Sequence, residues 1–162
     1  MAAGRTTRSK RRRQRGLTLV ELIVAFTIML LLSAMATPLA RYKVRRDQER
    51  ELRYALRQMR EAIDKYKDMA DANLLGPQEI GAEGYPESLE VLVKGVKASG
   101  SVDKKYQFLR RIPADPMTGT TDWGLRCVQD DPDSMAWCGQ NVFDVYTKST
   151  DRAPDGTPYS EW

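Results

Sequence analysis

Arg15-Gly16-Leu17-Thr18-Leu19-Val20-Glu21-Leu22 opens a run, Leu17 to Ala40, of 24 residues with one ionisable side chain, Glu21. As a helix this run is about 36 Å long, enough to cross a hydrocarbon core of about 30 Å. Residues 1–16, ahead of it, hold seven Lys and Arg and no acid. Positive flanks stay cytoplasmic, so the sequence predicts that the rest of the chain faces outward. Arg41, Lys43, Arg45 and Arg46 flank the far end, but four charges yield to seven. A secretory signal peptide is the competing reading, with Ser33-Ala34-Met35-Ala36 as its cleavage site. The length of the run and the carboxylate at its fifth residue weigh against it. A charge inside a span costs about 3 kcal/mol on insertion scales and marks a functional position.

The whole chain has 162 residues, 26 Lys+Arg, 22 Asp+Glu, no His and a formal charge of +4. That length allows one modest domain with extensions. Without His, a His-containing triad and a zinc site with His ligands are excluded; two cysteines cannot build an all-thiolate zinc site. The positive balance is local. Residues 41–70 carry ten basic and six acidic side chains, residues 71–111 carry six of each, and residues 112–162 carry three and nine. Without residues 1–16 the side-chain balance becomes −3.

Beyond Pro38, which should bend or loosen a helix, the helical pattern continues. Leu52, Leu56, Met59, Ile63, Tyr66 and Ala70 recur at steps of three and four, forming one apolar stripe. A stripe this narrow fits a helix packed on one partner surface, here the chain's own C-terminal part. A parallel coiled-coil dimer has only about three heptads to work with. DNA binding is disfavoured by the interleaved acids and by the position beyond an apolar run. The predicted organisation is a leader over 1–16, an apolar helix over 17–40, an amphipathic continuation over 41–73 and a head over 74–162. In the head the pattern predicts a short helix from Pro86 to Val93. Strands are expected near Gln107–Arg111, Gly124–Val128 and Val142–Thr147. The fold class is α+β, a long N-terminal helix on a small antiparallel sheet.

Gly16, Glu21 and Pro38 at these separations in a long apolar run resemble the processing motif of type IV prepilins and type II secretion pseudopilins. The resemblance implies cleavage between Gly16 and Leu17 by prepilin peptidase and N-methylation of Leu17, where the family usually has Phe. Glu21 then stands fifth in the mature chain, facing a neighbour's α-amino group during assembly. Pro38 falls at the family's helix-loosening proline. Tyr85-Pro86, Phe108-Leu109, Ile112-Pro113, Asp115-Pro116, Phe143-Asp144-Val145-Tyr146 and the close Asp155 to Trp162 are similar to the head of G-type major pseudopilins. The Cys127 to Cys138 segment departs from that pattern.

The resemblance implies a helical homo-oligomeric filament that drives protein export. Its partners are the bilayer before assembly, an inner-membrane assembly platform and minor pseudopilins. On this reading the chain is expected to be single-pass in the inner membrane with a periplasmic head, with no nucleic-acid partner and no enzymatic role. A surface-fibre pilin is the neighbouring alternative. A membrane-anchored periplasmic enzyme or binding domain is the alternative from another class; acidic pairs such as Asp130-Asp131 would have to serve it. The resemblance also implies a calcium in the loop after the last strand, with Ser149, Asp151 and Asp155 as candidate ligands; Asp130, Asp131 and Asp133 form a weaker second set. On the outward side Cys127 and Cys138 are expected to form a disulfide closing an acidic loop.

Overall fold

The computed structural model describes residues 18–78, 81–100 and 103–162, the side chains of residues 35–41 excepted. It is α+β: one long N-terminal helix and small antiparallel sheets. Helix α1 spans Leu19–Asp71, and the chain divides into a unit ending at Lys43 and a unit from Val44 to Trp162.

From Leu19 to Ala34 α1 carries apolar side chains on every side, with Glu21 as the one charge. Every large apolar side chain from Leu19 to Leu32 is 46–75% exposed. The helix continues through position 38; the surroundings of the Pro38 side chain lie outside the described residues. Among the described residues no helix is long and apolar enough to cross a membrane. The described apolar run of α1 extends from Leu19 to Ala34, sixteen residues, whereas the sequence run is 24.

In the second unit α1 buries the stripe that its spacing marks as far as Tyr66, with Ala70 half-buried. Leu52, Leu56, Met59, Ile63 and Tyr66 are buried, joined by Ala55 and Ala62, which widen the face. Asn73 (φ 54°) takes the left-handed conformation and the Leu74 amide returns to Met69 O at 3.0 Å, which ends the helix. Helix α2, Leu89–Lys94, turns Leu89 and Leu92 into the same core. It starts later than Pro86, and Gly95 (φ 73°) follows it, where a Cβ would lie 2.5 Å from Tyr106 O.

Among the described residues two two-stranded antiparallel sheets stand where a single sheet was expected. Strands β1 (Val96–Lys97) and β2 (Lys105–Tyr106) pair Val96 with Tyr106. Strands β3 (Gly124–Arg126) and β4 (Asp144–Tyr146) pair Gly124 with Tyr146 and Leu125 with Val145. The strand expected near Gln107–Arg111 lies just earlier, as β2, and stops at Tyr106 for a definite reason: the amides of Phe108 and Leu109 both donate to Leu92 O at 3.0 Å. Amides held at one helix carbonyl cannot also feed a ladder. Instead Leu109 is buried in the core and Tyr66 packs on Phe108, ring centroids 5.3 Å apart.

Candidate functional site

Three regions carry the functional residues: the start of α1, the Cys-closed loop and the turn after β4. At the first, the Glu21 amide donates to Thr18 Oγ1 at 3.3 Å and the Leu22 amide to Thr18 O at 3.2 Å, so Thr18 caps the helix start. Thr27 Oγ1 donates to Ile23 O at 2.7 Å, which satisfies this hydroxyl without leaving the helix. Glu21 stands exposed on α1 among exposed Leu19, Val20, Leu22 and Ile23. The expected cleavage pair, Gly16 and Leu17, lies outside the described residues.

Cys127 and Cys138 are joined by a disulfide, Cα atoms 6.0 Å apart. Asp130 fixes the loop between them: its Oδ2 accepts from the Cys127 amide at 2.8 Å and the Cys138 amide at 3.4 Å. The two sulfurs and an Asp130 oxygen therefore lie within 4.8 Å of one another, a grouping created by the bridge. Arg126 Nε donates to Ser134 O at 3.0 Å, Tyr146 Oη to Met135 O at 3.1 Å and Trp137 Nε1 to Asn141 O at 2.7 Å. Asp130 is thus a structural clamp of this loop.

The turn after β4 is held from within. Ser149 Oγ accepts the Asp151 amide at 3.2 Å, and Asp155 Oδ1 accepts the Thr157 amide at 2.9 Å. That amide holds the Asp155 carboxyl below its ordinary range. Ala153 and Thr157 close the turn (N to O, 2.8 Å), and Arg152 Nη1 donates to Gly156 O at 3.0 Å. From α1, Arg45 Nη2 donates to Arg152 O and Arg45 Nε to Tyr159 Oη at 3.2 Å; Tyr159 Oη donates to Glu49 Oε1 at 2.8 Å. Calcium asks for about six to eight oxygens facing one point. Here Ser149 Oγ, Asp155 Oδ1 and Gly156 O each serve a donor of the turn, and Arg152 O serves the Arg45 guanidinium of α1. The turn's own side chains and amides thus hold it together.

Sequence reasoning missed two elements of this region. Asp115, fully buried, accepts from the Met117 amide at 2.8 Å, Thr118 Oγ1 at 3.1 Å and Thr147 Oγ1. An Asp-Pro pair reads as a chain breaker, and only the later Thr147 reveals it as a hub. Arg45 looked like one flank charge among four; its partners lie more than a hundred residues away.

Residues 11–37 match the prokaryotic N-terminal methylation motif, the prepilin signal of type IV pilin-like subunits. The match covers 27 of 162 residues and characterises the N-terminal segment. A motif of this kind implies processing by prepilin peptidase, a membrane-anchored N terminus and pilus-like assembly. No curated protein and no solved structure matches the chain.

Proposed function

We propose that this chain is a structural subunit of a type II secretion pseudopilus, cut between Gly16 and Leu17 and assembled into a helical filament. The observation that carries the reading is the all-round apolar start of α1 with Glu21 inside it, under a prepilin motif at residues 11–37. A helix without a polar face needs hydrocarbon or other helices around it. The bilayer supplies the first before assembly and like subunits supply the second in the filament.

Cleavage at Leu17 creates an α-amino group with a reference pKa of about 8, positive at neutral pH. An ammonium and a carboxylate in an apolar bundle are each costly alone, and pairing offsets part of that cost. Glu21 of one subunit meets the amine of its neighbour and sets the axial register. The basic 41–70 segment and the acidic 112–162 segment add a second complementarity between subunits, one that salt screens. The assembly platform, prepilin peptidase and minor pseudopilins are the partners of this pathway, and the head faces the periplasm.

Glu21→Leu tests the reading. The variant should insert and be cleaved yet leave filaments unformed; filament yield equal to the parent would sink it. Deleting the chain separates the pseudopilin from the pilin. Loss of exported enzymes speaks for the first, and loss of long surface fibres with export intact speaks for the second.

A further inference from the structure

The turn from Asp151 to Tyr159 lies where an acidic loop invites a cation, and a cation is already there. The Arg45 guanidinium reaches it with two donors, Nη2 to Arg152 O and Nε to Tyr159 Oη at 3.2 Å. Its carbon also lies 5.8 Å from the Tyr159 ring centre. Tyr159 is buried at 1% exposure and uses its hydroxyl fully, accepting from Arg45 and donating to Glu49 at 2.8 Å. Glu49, one helical turn beyond Arg45, supplies the counter-charge. Tyr159 also packs edge-on against Trp162, centroids 4.8 Å apart, so the same contact anchors the last residues of the head.

We propose that Arg45 acts as a built-in cation for the turn Asp151–Tyr159, drawing its carbonyl and the Tyr159 hydroxyl onto α1 and making this turn independent of calcium. An arginine suits the task because its planar fork presents two donors at fixed separation, which a lysine ammonium cannot do. The charge also supplies part of what a metal would contribute: it lies in the field of Asp151 and satisfies the Arg152 carbonyl. Arg152, bonded to Gly156 O at 3.0 Å, adds a second positive charge within the turn. The inference concerns only the chain's own residues and stands whether the subunit builds a pseudopilus or a fibre.

The test uses the full chain in detergent micelles, with near-ultraviolet circular dichroism following the Tyr159–Trp162 contact during heating. The parent should melt at the same midpoint in excess chelator as in millimolar calcium, and calcium titration should release no saturable heat. Arg45→Gln should lower the midpoint by about 1–3 °C, a small shift because Arg45 is solvent-exposed and screened. Arg45→Lys should recover only part of it. A midpoint raised by calcium in the parent, or an Arg45→Gln midpoint equal to the parent's, would overturn the proposal. The parent's response to calcium decides the matter even if the variant fails to fold.

Discussion

Arg60 Nε donates to Asp144 Oδ1 at 2.6 Å, joining α1 to β4 across 84 residues of sequence. The same guanidinium donates through Nη2 to Val145 O at 3.2 Å and Trp162 O at 2.8 Å. Asp144 also faces Arg126 Nη1 at 3.7 Å, so one carboxylate sits between two guanidiniums. Removing it leaves two positive charges together, Arg126 only 10% exposed. Asp144→Ala should therefore cost about 2–3 kcal/mol, somewhat under the value for a fully buried pair because Arg60 and Asp144 keep solvent contact. Urea unfolding of Asp144→Ala and Arg60→Ala should show the aspartate variant as the weaker one. The opposite ranking would mean the carboxylate is not the centre of the network.

Gly124 faces Tyr146 across the β3–β4 ladder, and a Cβ at this position would lie 2.2 Å from the Tyr146 ring. That ring cannot move freely, because it stacks under Arg126 (4.3 Å) and its hydroxyl holds Met135 O. Gly124→Ala should lose about 2–3 kcal/mol through overpacking. Tyr146→Leu in the same background should recover part of that loss, measured again by urea midpoint.

The Cys127–Cys138 bridge closes a short loop with a sequence separation of 11. Replacing both cysteines by serine should cost about 3 kcal/mol in the chain-entropy account. The loss should appear first as proteolysis near exposed Met135 and Trp137, which the bridge holds in place. Cleavage rates equal to the parent's would show that Asp130, Arg126 and Tyr146 hold the loop without it.

Burial pushes the Tyr66 hydroxyl above its ordinary value of 10.0, and Tyr159 shifts in the same direction for the same cause. A folded value above the unfolded one means the folded chain keeps its proton longer. Stability is then full below the unfolded value and falls as pH rises toward the raised one. Lys67, raised by its hydrogen bond to Asp71, acts with the same sign. Melting midpoints should drop as the solution passes the ordinary tyrosine range, and Tyr66→Phe should drop less steeply. Identical slopes for parent and variant would remove Tyr66 from the account.

The parts of this fold written in local spacing were legible before the structure. Leu52, Leu56, Met59 and Ile63 announce a buried face by their three-and-four rhythm, and each is no more than 2% exposed. Val142 and Val145 likewise sit in the core at 0%. What escaped depends on distant partners. Phe108 and Leu109 have strand composition, yet their amides are captured by Leu92 O. Trp123, buried at 3% with Nε1 on Pro113 O at 2.9 Å, sits in a stretch of turn residues whose sequence gives no period. At the candidate site, Glu21 stood out because a charge in an apolar run is costly. Arg45 did not, because a charge in a charged run is ordinary until its acceptor is known.

The central claim is that the apolar helix stays with the chain while the basic leader leaves. Intact-mass and N-terminal analysis of the protein taken from membranes tests this most directly. The account predicts a chain that starts at Leu17 with a methylated amine and a side-chain balance of −3. A chain starting after Ala36, or one retaining residues 1–16, would contradict it.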